Sequence, residues 1–348
     1  MNNNKTVVHL IKSANPDGGG AQRIVHGIKN NSHHKHIIIF SKKNNISINT
    51  MSTHPLLIPL KLIKTLIQEN VSAVVIHDRP FLALHYIVKL FNKKTVFLCH
   101  SIFQNKNLVF KLLNKISYIA VSNSAQKKLI SVGIPQEKIS VIRNGILPPS
   151  YTENFSDFVK ETNYIYSSDH QDHINIIYVG RLSTEKGIFT LIESLNSAAL
   201  NNKEVKLTLI GTPTLKFKSE FENLDRKIKS KIDLTGNIDK PFEHIHNYQP
   251  TLIVIPSHYE GFGLVMAEAL SAGLKIVATD IEPFREISSS PTITYCQPNS
   301  PENLARAIVK SLESKPSIQD AWSESKRIAT EFSQKTMYRN YDHYFSET

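Results

Sequence analysis

The 348 residues suffice for two domains of about 150 each, and a composition of 41 % hydrophobic and 20 % charged residues excludes a fibrous or disordered chain. Two cysteines, Cys99 and Cys296, exclude a disulfide framework and predict a reduced, cytoplasmic setting; no run of about 18 apolar residues is present to span a membrane. The net charge of +11 is uneven: residues 1–165 hold 21 Lys and Arg against 7 Asp and Glu, net +14, while residues 166–348 hold 20 against 23, net −3. Such a basic half either faces an anionic surface or ligand or only keeps the chain soluble.

The apolar run at 6–11 is too short for a signal peptide and reads as a first strand. Further strands are predicted at 36–40, 73–77, 95–99, 118–121 and 139–142. Helices are predicted at 21–29, 60–69, 81–91, 108–115 and 124–131, the last with Ser122 as N-cap. Residues 150–172 are polar and aperiodic and read as a linker. The pattern then restarts, with strands at 174–179, 206–210, 232–235, 252–255 and 275–279. The accompanying helices fall at 189–199, 215–229, 241–247, 264–272, 301–314, 317–332 and 333–345. Strands that are continuously apolar rather than alternating belong to parallel sheets covered on both faces. The expected class is therefore α/β, with two Rossmann-like domains. In such sheets ligands sit at the carboxyl ends of the strands, so the loops there deserve scrutiny.

Three of those loops carry chemistry. Gly18-Gly19-Gly20 stands between the first strand and first helix, where glycines allow backbone N–H groups to approach an anion. A flexible turn explains it equally well. The loop from Gly180 to Gly187 holds Arg181 and Lys186, five residues apart at a strand end, a pairing suited to a diphosphate. The alternative is a surface loop whose Lys186 pairs with Glu185. The segment His258-Tyr259-Glu260-Gly261-Phe262-Gly263-Leu264-Val265-Met266-Ala267-Glu268 follows the strand at 252–255 and Pro256-Ser257. Its helix start can hold a negatively charged leaving group. Glu268 lies on a helix that is apolar nearly all round, where a carboxylate rarely persists without a partner.

Glu260 and Glu268 with their seven-residue spacing, Pro256-Ser257 and the Gly180–Gly187 loop resemble the retaining family 4 glycosyltransferases of the GT-B fold. Further matches are Gly18-Gly19-Gly20-Ala21, His100, Val121-Ser122-Asn123-Ser124, Ile142-Arg143-Asn144-Gly145 and Ala269-Leu270-Ser271-Ala272-Gly273. The resemblance implies two Rossmann-like domains facing each other across a cleft, with a C-terminal helix crossing back to the first. Residues 1–165 would bind the acceptor, 166–330 the nucleotide sugar, and 331–348 would form that helix. By the same resemblance, Arg181 and Lys186 would neutralise the donor diphosphate and Glu268 would bind the ribose. Glu260 would contact the transferred sugar, and the Phe262-Gly263-Leu264 backbone the sugar or phosphate. Gly19 and Gly20 would approach the diphosphate, and His100 would hydrogen-bond the sugar near the reacting carbon. Family members often carry Glu at the position of Gln22, and a glycine-rich turn where this chain reads Asp280-Ile281-Glu282-Pro283-Phe284-Arg285-Glu286.

The expected activity is transfer of a hexose or N-acetylhexosamine, with retention, from a nucleotide sugar, UDP-linked by family precedent, to a glycan acceptor. A lipid-linked acceptor in bacterial surface-polysaccharide assembly (O-antigen, lipopolysaccharide or capsule) is a family-level expectation. No Asp-x-Asp pair is present, and Arg and Lys can neutralise a diphosphate, so no metal or other cofactor is expected. His33-His34-x-His36, His244 and His246 read as ordinary histidines, the first three at the surface. Residues 56–67 mix Leu and Ile with Lys61 and Lys64 and could lie at an anionic membrane surface, or simply cover the sheet. Two alternatives are a nucleotide-sugar epimerase of related fold and a basic nucleic-acid-binding protein. No zinc finger or RNA-binding signature supports the latter.

Overall fold

The computed structural model describes residues 5–13, 15, 19–40, 51–52, 54–101, 115–167, 173–200 and 203–347. The predicted helix at 108–115 and Gly18 lie, the former almost entirely, outside them. The chain divides into two compact units, Met1–Gly145 with Gln334–Thr348, and Ile146–Ser333.

The first unit holds seven parallel strands: β1 (Thr6–Ile11), β2 (Lys35–Phe40), β3 (Met51–Ser52), β4 (Val71–Ile76), β5 (Lys94–Cys99), β6 (Ser117–Ala120) and β7 (Ile139–Val141). Their order is β3-β2-β1-β4-β5-β6-β7. The continuous apolar runs are buried on both faces; Val7, Val8, Leu10, Val74, Ile76 and Leu98 are all essentially inaccessible. The helix Gly20–Asn31 turns Ile24, Val25 and Ile28 inward. Ser122 caps the helix Asn123–Ser131 by accepting from the Ala125 N–H at 3.0 Å, as its sequence position predicts. The final helix, Gln334–Ser346, belongs to this unit and buries Met337, Tyr341 and Phe345.

The second unit holds six parallel strands: β8 (His173–Val179), β9 (Glu204–Ile210), β10 (Ile232–Gly236), β11 (Leu252–Ile255), β12 (Ile276–Thr279) and β13 (Ile293–Cys296). Their order is β10-β9-β8-β11-β12-β13. One core joins Ile176, Tyr178, Leu207, Leu209 and Val254 of the sheet to Leu191, Leu304 and Ile308 of the covering helices. In both sheets the strand order reverses beside the first strand, between β1 and β4 and between β8 and β11. A crevice opens at such a reversal, at the carboxyl edge.

Several expectations are corrected. The supposed linker holds a 13-residue helix, Phe155–Ser167, and the boundary lies after Gly145 rather than after residue 165. Phe158, Thr162 and Ile165 are buried at helical spacing. Phe158 sits edge-on to Trp322, ring centroids 5.1 Å apart, and the Tyr166 hydroxyl donates to the Gly273 carbonyl at 2.8 Å. Polar residues between those anchors obscured the period. At the observed boundary the charge asymmetry widens: the first unit holds 22 Lys and Arg against 6 Asp and Glu, the second 19 against 24. The predicted helix at 215–229 is broken in two, Leu215–Glu222 and Arg226–Lys229, because Asp225 caps a new start by accepting from the Lys227 N–H at 2.7 Å. Strand β13 and the helix Glu282–Ile287 were not foreseen.

Candidate functional site

In the second unit the loops after β8 and β11 meet at the strand-order reversal. Gly187 is in the left-handed region at φ 71°, and a Cβ there would stand 1.9 Å from the Pro256 carbonyl oxygen. Only glycine lets the two loops approach so closely. The His258 N–H donates to the Glu185 carbonyl at 3.1 Å, and the Thr279 hydroxyl donates to the Ser257 carbonyl at 2.6 Å, pinning the second loop on both sides.

Across this junction Lys186 Nζ donates to Glu260 Oε1 at 2.6 Å, and Ser257 Oγ donates to the same oxygen at 2.9 Å. The lysine side chain is 29 % exposed and the glutamate 14 %. Lys186 therefore takes Glu260, 74 residues away, and not the adjacent Glu185. Glu185 faces Arg181, at 3.6 Å. Partial burial pushes the Glu185 carboxyl up, but its backbone hydrogen bond and the Arg181 and Lys186 cations prevail and hold it below the usual range. The backbone of Arg181 is anchored from beneath by the buried Tyr178, whose hydroxyl donates to the Arg181 carbonyl at 2.7 Å. The guanidinium is half exposed and can still reach an anion.

Gly263, at φ 109°, is the N-cap of the eight-residue helix Leu264–Ser271, and no side chain caps that first turn. The helices that start after Gly19 and Gly187 are likewise uncapped by any side chain, whereas Ser122, Thr214, Ser300 and Ser317 cap theirs. Open N–H groups at a positive helix end suit a negatively charged ligand. Phe262 points inward, buried against Phe332 with ring centroids 5.4 Å apart, so at this position only the backbone is available to a ligand. Leu264 opens the helix, and Glu268 lies about one turn along it, half-buried. In place of a glycine-rich turn, Phe284 backs Gly263, and Arg285 is held by both Asp280 oxygens at 2.7 and 2.9 Å.

The structure thus brings together Arg181, Lys186, Glu260, Phe262, Gly263 and Leu264 in one unit. Gly19, Gly20 and His100 lie in the other. Sequence reasoning missed Ser257 and Tyr178 as supports. It also misread His36 as a surface residue: His36 is buried, and so is His246, which reads from the sequence only as an ordinary histidine. His246 Nε2 lies 2.9 Å from the Tyr151 hydroxyl and 3.2 Å from the Ala272 carbonyl. Among the described residues, no group of three or more His, Cys, Asp or Glu is placed to hold a metal.

Residues 163–328 match the sequence profile of the glycosyl transferases group 1, and residues 7–148 that of glycosyltransferase family 4. An uncharacterised glycosyltransferase of Methanocaldococcus jannaschii is 29 % identical over 190 residues, 54 % of this chain and 48 % of that protein. The chain thus spans about half the length of that relative. The lipopolysaccharide 1,2-N-acetylglucosaminetransferase of Salmonella typhimurium is 22 % identical over 80 % of this chain and 73 % of its own length. The crystal structure of Anabaena HepE in complex with UDP-glucose superposes with a TM-score of 0.79 at 18 % identity, covering 99 % of this chain and 100 % of that one. With its two parallel Rossmann-like sheets and both profiles matched in order along the sequence, the chain belongs to the group 1 glycosyltransferases of family 4, enzymes of the GT-B fold.

Proposed function

We propose that this glycosyltransferase moves a hexose or N-acetylhexosamine from a UDP-sugar to a glycan acceptor with retention at the anomeric carbon. The observation that carries the reading is the Lys186–Glu260 contact across two strand-end loops, flanked by Arg181 and an uncapped helix start. The costly event in such a transfer is departure of a nucleoside diphosphate. Arg181, Lys186 and the N–H groups at Gly263–Leu264 are fixed before the charge develops, which is where electrostatic stabilisation counts most. In this reading Glu268 holds the ribose and Glu260, oriented by Lys186 and Ser257, the transferred sugar. Gly19 and Gly20 add backbone contacts to the diphosphate, and His100 a hydrogen bond to the sugar. No metal is required, because cationic side chains take its place.

The acceptor is proposed to be lipid-linked, in surface-polysaccharide assembly at the cytoplasmic face of a membrane. Support comes from relatives named for lipopolysaccharide and capsular polysaccharide biosynthesis. The helix Ile58–Gln68 buries Ile58, Leu62 and Leu66 but leaves Leu60 and Ile67, with Leu56 and Leu57 before it, exposed beside Lys61 and Lys64. Apolar residues interleaved with lysines suit an anionic lipid surface. No helix among the described residues is long and apolar enough to cross a membrane.

A panel of nucleotide sugars, screened for protection against thermal unfolding, tests the donor: a UDP-sugar should raise the melting temperature most. Product analysis by NMR then reads the anomeric configuration. Inversion, or release of free sugar or an epimer without an acceptor, would overturn the assignment.

A further inference from the structure

Four histidines cross the first sheet in single file. They stand on or just after four adjacent strands, in the order β2, β1, β4, β5. His36 pairs in register with Val7, and His9 lies two residues further along β1; His9 pairs with Val75, and His77 lies two residues beyond that. Ile76 pairs with Phe97, so His100 is again displaced by two. Because side chains in a strand repeat every second residue, all four fall on one face and climb towards the carboxyl edge. Adjacent rings are 5.0–5.1 Å apart. Nitrogens meet at 2.8 Å at every step: His36 Nδ1 with His9 Nε2, His9 Nδ1 with His77 Nε2, and His77 Nδ1 with His100 Nε2.

Burial keeps these rings neutral, holding His36 and His100 down to about 4 and His9 and His77 well below the ordinary value. A neutral imidazole has one N–H and one lone pair. A file of them has two self-consistent arrangements, every N–H pointing one way or every N–H pointing the other. The end at β2 decides between them. His36 Nε2 lies 2.7 Å from Ser32 Oγ. That oxygen accepts from the His34 backbone N–H at 3.1 Å, a bond that cannot reverse, and its hydroxyl donates to Asp342 of the final helix. An ionised carboxylate only accepts. Ser32 has then spent its proton and one lone pair, and what remains for His36 Nε2 is the other lone pair. His36 must donate, and each ring behind it must donate in turn.

We propose that Asp342, acting through Ser32, His36, His9 and His77, fixes His100 as its Nε2–H tautomer, so that Nδ1 is an obligate hydrogen-bond acceptor for a substrate hydroxyl. Nδ1 of His100 has no hydrogen-bond partner among the described residues. The aligned N–H dipoles polarise one another and strengthen it as an acceptor. Such a nitrogen selects a sugar hydroxyl, which donates, over a carbonyl or phosphate oxygen, which does not. Ser32, Asp342 and the other three histidines are positioning residues. The use of Nδ1 rests on the reading of His100 as a sugar contact; the tautomer assignment does not.

Long-range proton–nitrogen correlation spectra of the full chain with labelled histidine, assigned by single His→Gln variants, read each tautomer directly. The expected result at neutral pH is protonated Nε2 and unprotonated Nδ1 at His9, His36, His77 and His100. Protonated Nδ1 or an imidazolium at His100 overturns the proposal in the wild-type protein alone, so it does not depend on any variant folding. In Asp342→Ala, His100 should show mixed tautomers and kcat should fall by up to about tenfold, the worth of one hydrogen bond. Asp342→Asn, which keeps an acceptor oxygen, should restore both. A folded Asp342→Ala protein with an unchanged His100 tautomer overturns the role of Asp342. Full activity in His100→Ala overturns the substrate contact while leaving the tautomer assignment intact.

Discussion

Lys186 Nζ and Glu260 Oε1 lie 2.6 Å apart, and this contact ties the loop after β8 to the loop after β11. Lysine adjacent to glutamate in sequence invites a local pair with Glu185, yet the longer-range partner prevails because Gly187 brings the Pro256 backbone against its own loop. Lys186→Ala should lower kcat by about 10²–10³, the usual loss for one preorganised contact to developing charge. The Lys186→Ala and Glu260→Gln effects should be far from multiplicative in the double variant, since the residues share one contact. Initial rates at saturating donor measure both; near-wild-type turnover in Lys186→Ala would remove the leaving-group role.

Gly187→Ala and Gly236→Ala separate steric from conformational cost. Both glycines have φ above 70°, but a Cβ at Gly236 meets nothing within 4 Å, whereas one at Gly187 strikes the Pro256 carbonyl. Gly236→Ala should cost about 1 kcal/mol. Gly187→Ala should cost more, roughly 1–3 kcal/mol or beyond, and should also impair donor binding because the 256–263 loop must shift. Equal melting temperatures for the two variants would show that the close approach is not what demands glycine.

Acid should destabilise both units over a defined window. Burial holds His36 in the first unit and His246 in the second at about 4, against about 6.5 when unfolded. Between those values the unfolded chain binds protons the folded chain refuses, so stability rises with pH there. It should be fully present above about pH 6.5 and decline towards pH 4. Denaturant titrations across the window read the slope, and His246→Gln should reduce it by up to one proton in a folded variant. A flat profile would contradict neutral burial.

The lipid-surface proposal has its own readout. Wild-type protein should float with vesicles containing anionic lipid at low salt and be released at high salt. Replacing Leu57, Leu60 and Ile67 by serine should abolish flotation without lowering the melting temperature, since all three are exposed. Equal flotation of this variant would place any membrane contact elsewhere.

If side-chain cations take the place of a metal at the diphosphate, exhaustive chelation should leave the initial rate unchanged. A rate lost on chelation and restored by Mg²⁺ or Mn²⁺ would overturn that proposal.

Much of this protein was legible in its sequence. Continuous apolar runs marked eleven of the strands, because a strand buried on both faces has no polar side to interrupt it. Glycine-ended loops marked the candidate site, since few residues other than glycine serve where backbones nearly touch. The helix Phe155–Ser167 escaped because its anchors are few and its other positions polar. Tertiary structure alone decided which charges pair and which histidines are buried. His9 between the apolar Val8 and Leu10 of a buried strand was a visible signal, as a buried polar group requires a partner. Its partners His36 and His77 lie 27 and 68 residues away. Only the parallel register of β2, β1, β4 and β5 sets them ring to ring, and only the final helix brings Asp342 to the end of the file, because contacts between distant segments are fixed by packing and not by local pattern.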